Sequence, residues 1–297
     1  VSATTKGNFE IIAREREVIR LNEGSLGEAK TIQPESIERA VETITRFKII
    51  AESYNAELRA TATSAIRESS NRDEFTRIIF ERTGVKIEVI SGIEEARLIY
   101  RGIQKALPIF DKNSLSIDIG GGSTEFILGR RGEIELSDSI KIGAVRLSQK
   151  FFPDYILTDQ RIEETRKWIE GEIAPIVNRL ADSNVEVFVG SSGTIMNVGL
   201  MIQAKRKILQ SENLILNDFE FTSDELFDIE KMVLSKRSPE ERKGIPGLEE
   251  KRADIIPAGI IIISTIFRKL KIKKMIISGY GLREGIILDS MDKLGIS

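Results

Sequence analysis

The chain predicts an α/β architecture. Three observations carry this. Strand-like and helix-like periodicities alternate along most of the sequence, and glycine-rich turns stand at the ends of several predicted strands. At 297 residues there is also room for two domains, each with a sizeable core.

The first element reads as half a hairpin: Val1 to Thr5 as the tail of a strand, Lys6-Gly7-Asn8 as a turn, and Phe9 to Leu21 as the returning strand. A domain that opens this way is expected to lack residues upstream. Pro34 stands near the start of a helix whose apolar positions Ile37, Ala40, Val41, Ile44, Phe47 and Ala51 keep helical spacing. Leu58 to Thr63 reads as a strand, Arg72 to Thr83 as a helix closed by Gly84, and Lys86 to Ile90 as a strand. Ile93 to Leu107 is a helix that stops before Pro108.

After the breaker-rich loop at 108–113 the pattern restarts. Ser114 to Leu128 reads as strand, triple-glycine turn and returning strand, followed by a third strand at Ile134 to Ile142 and a short helix near Leu147 to Phe152. Thr158 is placed to cap a long amphipathic helix through Leu180. Val185 to Val189 is a short buried strand that runs into Gly190-Ser-Ser-Gly-Thr194 and a helix. Lys205 to Asn217 has little periodicity and reads as a mobile loop, Thr222 caps a further helix, and Ser235 to Glu250 is charged and turn-rich. The apolar run Ile255 to Phe267 is shorter than the ~20 residues a membrane-spanning helix needs, so it reads as a buried core helix. The strand Met275 to Ser278 and a helix from Leu282 complete the chain.

Composition narrows the chemistry. With no cysteine, disulfides and thiolate metal sites are excluded. With no histidine, imidazole bases, Ser-His triads and His-ligated zinc are excluded as well. Acid–base work falls to Asp, Glu, Lys or Tyr, and any metal is a hard ion on oxygen ligands, such as Mg²⁺. A net charge of −2 supplies no basic field for nucleic acid, and the short run Lys269 to Lys274 reads as a solvated helix end. The N-terminus shows no signal pattern, so a cytoplasmic location is the default expectation.

The glycine hairpin carries most of the functional signal. Alternation puts Ser116 and Asp118 on one strand face, with Leu115, Ile117 and Ile119 on the other; Ser123 and Glu125 share a face on the return. Glycines let a ligand approach the backbone, and successive turn amides form a concave anion site. Two acids beside such amides suit a phosphate and its counter-cation; the competing reading is a hairpin turn with two solvated acids. Other motifs leave two readings open. Gly190 to Thr194 is either an anion contact at a helix N-terminus or a capped strand–helix turn, and it is not a Walker A loop. In Ser91-Gly-Ile-Glu-Glu-Ala-Arg97 one acid is either a base or a first-turn charge, and Glu94 and Glu95 point ~100° apart. Arg67, at the end of Thr61-Ala-Thr-Ser-Ala-Ile-Arg67, is either a phosphate fork or a surface arginine. Ser278 to Gly285 reads as a structural turn with Arg283 and Glu284 on the surface.

Taken in order, these segments resemble the exopolyphosphatase / guanosine pentaphosphate phosphohydrolase family in its short two-domain form. The resemblance rests on Ala62 to Arg67, Ile90 to Leu98, Ile117 to Glu125, Gly190 to Thr194, Lys251 to Asp254 with Ala258-Gly259, and Gly281 to Gly285. It implies the actin, sugar kinase and Hsp70 superfold: two ribonuclease-H-like (actin-like ATPase) domains with an interdomain cleft. The first domain is expected at 1–109, completed by the helix at 282–297, and the second at 110–281. The family opens with an Asp-x-Gly-Ser/Thr phosphate loop that has no counterpart here, so the first strand or strands of the N-terminal domain are expected to be missing. Its His-Gly segment likewise has no counterpart near 213–221.

The implied activity is hydrolysis of the terminal phosphoanhydride of inorganic polyphosphate or guanosine pentaphosphate (pppGpp), with Mg²⁺ or another divalent cation. On that resemblance Glu95 activates water, and Asp118 and Glu125 hold the metal. Phosphate contacts fall to Gly120, Gly121, Gly122, Ser123 and Arg67, with Gly193 and Thr194 at the second glycine turn. The expected partners are one of those substrates and, for assembly, a homodimer; nucleic acid and membrane are not expected. Two other readings are a non-catalytic module that binds polyphosphate or guanosine tetraphosphate, told apart by binding without turnover, and an ATP-dependent small-molecule kinase, told apart by transfer to an acceptor.

Overall fold

The computed structural model describes residues 1–4, 7–15, 17, 19, 21, 31–207 and 216–296. Parts of the predicted opening hairpin (Thr5, Lys6, Arg16, Val18 and Arg20) and of the predicted loop (208–215) lie outside those residues. The chain forms two compact units, Val1–Glu95 with Met291–Ser297, and Ala96–Ser290.

In the first unit, strands β1 (Ser2–Ala3) and β2 (Phe9–Glu10) pair antiparallel. Helix α1 (Pro34–Ser53) starts on the proline, whose fixed φ suits a first helical turn. Strand β3 (Ala60–Ala62) leads through the one-turn helix α2 (Ser64–Arg67) to helix α3 (Arg72–Thr83). Gly84 ends α3 at φ 72°, a left-handed position that favours glycine. Strand β4 (Ile87–Val89) then pairs parallel with β3. Ile37, Ala40 and Val41 of α1 meet Phe75 and Ile79 of α3 in this unit's core. Helix α4 (Gly92–Ala106) begins here and continues into the second unit.

The second unit is built on one six-stranded sheet. Strands β5 (Ser114–Ile119), β6 (Thr124–Arg130) and β7 (Glu133–Ile140) form an antiparallel meander. Helices α5 (Ala144–Phe151) and α6 (Asp159–Leu180) follow, and Thr158 caps α6 by accepting from the Arg161 amide. Strand β8 (Val187–Ser191) lies parallel to β5 and leads into helix α7 (Ser192–Lys205). Strand β9 (Phe219–Thr222) and helix α8 (Ser223–Leu234) are joined by a capping box between Thr222 and Glu225. The short helix α9 (Pro239–Lys243), helix α10 (Ile256–Leu270), strand β10 (Lys274–Ile277) and helix α11 (Leu282–Lys293) complete it. The strand order is β7-β6-β5-β8-β10-β9, with β10 parallel to β8 and β9 an antiparallel edge. This is the α/β architecture that the periodicities predict, in the ribonuclease-H-like form that the resemblance implies.

Every residue of β5 is buried. Leu115, Ile117 and Ile119 join the main core with α6, α7 and α10. On the opposite face, Ile127 and Val189 flank Ser116 in register and cluster with Ala96, Ile99, Tyr100 and Ile103 of α4. Helix α10 is buried from Ile256 to Phe267 and packs against α5, α6, α7 and α8. A helix apolar all round belongs at the centre of a unit, which explains the long apolar run. Among the described residues no helix is long and apolar enough to cross a membrane.

Two expectations are corrected. Glu284 is 3% exposed and accepts from the Gly281 amide at 3.0 Å, so it closes the start of α11 and does not stand on the surface. The stretch 235–250 contains α9, whose N-cap Ser238 accepts from the Glu241 amide.

Candidate functional site

Register aligns one polar row across four strands of the second unit. Ser139 on β7 pairs with Glu125 on β6, Glu125 with Asp118 on β5, and Asp118 with Ser191 on β8. Directly paired residues share a sheet face, so both carboxylates lie side by side. Asp118 is 9% exposed and Glu125 2%, which excludes the reading of two solvated acids. Hydroxyls hold them: Ser191 Oγ donates to Asp118 Oδ2, and Ser123 Oγ (2.6 Å) and Ser139 Oγ (2.8 Å) donate to Glu125 Oε1.

The glycine turn sits at the end of this row, and its peptide planes have a defined direction. The Gly120 carbonyl accepts from the Ala144 amide at 2.9 Å. That of Gly121 accepts from the amides of Val145 and Arg146, both at 3.0 Å. The Gly122 carbonyl accepts from Arg146 Nε at 2.6 Å. All three carbonyls therefore face the N-terminus of α5. In a trans peptide the C=O and the following N–H point in opposite directions, so the N–H groups of Gly121, Gly122 and Ser123 face away from α5. These three amides line one side of the turn, a candidate anion cradle; the Gly120 amide, also expected there, instead donates to the Ser123 carbonyl at 3.0 Å and so closes the turn. Gly143 makes the approach possible, because a Cβ there would meet the Gly121 and Gly122 backbone at 2.4–2.5 Å.

The second glycine turn lies alongside. Ser191 stands at the N-cap of α7 yet makes no cap bond, because its hydroxyl goes to Asp118. Ser192, at φ 77°, donates to the Ile119 carbonyl at 2.6 Å. With both hydroxyls diverted, the positive end of α7 has no side-chain cap, a condition that favours an anion. A Cβ on Gly193 would meet Arg252 Nη2 at 1.9 Å, so only glycine lets that guanidinium lie on the backbone here. Thr194 is buried against Gly259.

In the first unit, Arg67 Nη1 donates both to Glu95 Oε2 at 2.9 Å and to the Ile90 carbonyl at 2.9 Å. The arginine expected as a phosphate fork thus holds Glu95. Burial raises the Glu95 pKa, opposed by the hydrogen bond and charge of Arg67. Glu94 is less buried, and its amide donates to Ser91 Oγ, as a first-turn residue does.

A hard divalent cation fits the donor set of the polar row. Two adjacent buried carboxylates repel one another, and a cation relieves that repulsion. Among the described residues no cluster of three or more acidic side chains forms a metal cage. Asp118 and Glu125 would therefore leave most coordination positions to water and phosphate, as Mg²⁺ prefers.

Comparison with known proteins settles the family. The whole span 1–294 matches the Ppx/GppA phosphatase family. The chain belongs to that family. The guanosine-5'-triphosphate,3'-diphosphate pyrophosphatase of Photobacterium profundum is 30% identical over 294 residues, 97% of this chain but 56% of that protein. This Ppx/GppA chain therefore spans about half the length of that curated relative. An exopolyphosphatase from Cytophaga hutchinsonii superposes with a TM-score of 0.86 at 27% identity, covering 96% of this chain and 91% of that one. The Aquifex aeolicus family member superposes with a TM-score of 0.80 at 24% identity over 99% and 94% of the two chains, a likeness of fold.

The sequence points to Asp118, Glu125 and the glycine turn, but it misses the residues that hold them. Ser139 and Ser191 are found only through register, Arg146 only through its bond to Gly122, and Arg252 only through Gly193. The one sequence signal for Ser191 is its place between a buried strand and a helix.

Proposed function

We propose that this chain hydrolyses the terminal phosphoanhydride of inorganic polyphosphate or of guanosine pentaphosphate. The observation that carries the reading is the amide cradle of Gly121, Gly122 and Ser123 beside the paired carboxylates Asp118 and Glu125. The names of the pyrophosphatase and exopolyphosphatase relatives support the substrate class. Phosphoryl transfer needs mainly charge neutralisation and positioning, so the absence of histidine is no obstacle.

In this reading the cradle amides grip oxygens of the terminal phosphate, with Gly193 and Thr194 at the start of α7 as a second contact. Asp118 and Glu125 would hold Mg²⁺, which when bound neutralises phosphate charge. Glu95 is the base: its buried carboxylate takes a proton from water as the water oxygen bonds to the terminal phosphorus. The bond to the bridging oxygen breaks, and that oxygen leaves with the electron pair on the shortened product. Arg67 orients Glu95 and can also contact phosphate. The location proposed is the cytoplasm.

The test is phosphate release from long-chain polyphosphate and from guanosine pentaphosphate, with and without Mg²⁺. Glu95→Gln is expected to lower kcat by about 10²–10⁴-fold with little change in binding. Wild-type turnover in that variant removes Glu95 from the role of base. Binding of either compound with no turnover by the unaltered protein supports a sensing module in place of an enzyme.

A further inference from the structure

The geometry points to Arg146 as a positioning residue that sets the phosphate cradle through the Gly122–Ser123 peptide plane. This rests on the phosphate-binding reading of the glycine turn. The first two carbonyls of the turn are fixed by main-chain amides of α5, which any residue at those positions supplies. The third, that of Gly122, is fixed by a side chain, Arg146 Nε at 2.6 Å. Glycine at 122 resists rotation of that peptide only weakly. The direction of the Ser123 N–H is therefore set by the arginine. Ser123 also donates through its hydroxyl to Glu125, so the same plane joins the cradle to the carboxylate row. A guanidinium suits the task because its planar donor array loses little freedom per bond formed. Arg146 is half-buried and its own main-chain N–H donates to Gly121, so one residue orients two neighbouring carbonyls.

The experiment combines kinetics and a binding readout on the full chain. Arg146→Ala is expected to lower kcat/KM for polyphosphate by about 100-fold, the scale of a small misplacement at a reacting centre. Guanidinium ion at millimolar concentration is expected to restore part of that loss, whereas ammonium at equal ionic strength is not. Arg146→Gln, whose amide can still donate to the Gly122 carbonyl, is expected to fall between Ala and wild type, and it serves if the alanine variant does not fold. In amide-resolved NMR with inorganic phosphate as the probe, Gly121, Gly122 and Ser123 should shift in the wild type, with the Ser123 response lost in the variant. Wild-type kcat/KM in Arg146→Ala, absence of guanidinium rescue in a folded variant, or an unchanged Ser123 response each overturns the inference. If those amides respond to phosphate but the unaltered chain hydrolyses neither substrate, the hydrolase reading fails and the role of Arg146 in the cradle stands.

Discussion

Glu95, the base in the proposed reading, has one neighbour that both places it and tunes it. Burial raises its pKa and Arg67 partly offsets this, while a general base must be ionised to accept a proton. Removing Arg67 deletes the lowering influence and leaves burial unopposed. Arg67→Met is therefore expected to move the acid limb of the kcat/KM profile to higher pH; a limb that stays put, or moves down, contradicts the tether. Glu230 carries the opposite balance. Burial disfavours its charge, but the Arg268 and Ser264 hydrogen bonds and the Arg166 and Arg268 charges outweigh this and lower its pKa. A lowered folded-state pKa contributes stability above the ordinary carboxylate range, lost as pH falls through the folded value. Glu230→Gln is expected to cost about 2–3 kcal/mol near neutrality and to flatten the acid side of the stability profile, as read by denaturant unfolding at several pH values. None of this was legible in sequence, because Glu230 lies in an ordinary amphipathic helix and its partners stand on α6 and α10.

At the scale of elements, local chemistry made most boundaries readable. Gly84 stops α3 where its left-handed φ is needed, Thr158 caps α6, and Thr222 with Glu225 starts α8. The glycine hairpin was readable down to which residues share a face, since period two leaves no freedom. What failed was short or reciprocal. Strand β9 has four residues, and its place comes only from pairing with β10. Glu284 looked like a surface charge because nothing in sequence shows that it folds back on the Gly281 amide. Helix crossings were also hidden: a Cβ on Gly285 would come within 1.8 Å of the Leu98 carbonyl, and one on Gly102 within 2.2 Å of that of Gly281. Gly285→Ala is expected to cost about 3 kcal/mol or more, seen as a clear fall in thermal midpoint. An unchanged midpoint means α4 and α11 do not touch so closely.

At the scale of the molecule, charge and composition are the informative quantities. The proposed substrates are polyanions, yet the formal charge is −2, so the net charge supplies no long-range attraction for salt to screen. Attraction must come from nearby dipoles and arginines. Raising monovalent salt from 50 to 200 mM, a range across which basic polyanion binders weaken steeply, is therefore expected to leave kcat/KM level or slightly higher. A steep fall in initial rates over that range instead reveals a concentrated basic surface. The family was legible because its motifs run through almost the whole chain, from Ala62 to Gly285. The hydroxyls and arginines that brace those motifs come from residues far apart in sequence, and only the folded sheet brings them to the turn.

Helix α5 begins without a side-chain cap, on the carbonyls of the glycine turn. On the proposed phosphate-binding reading, fraying of the helix and loss of phosphate are linked equilibria, and linkage is reciprocal. Phosphate should slow hydrogen exchange at Ala144 to Arg146 without touching them. A substitution that steadies the start of α5 should tighten phosphate binding, to the extent that it lowers the frayed fraction.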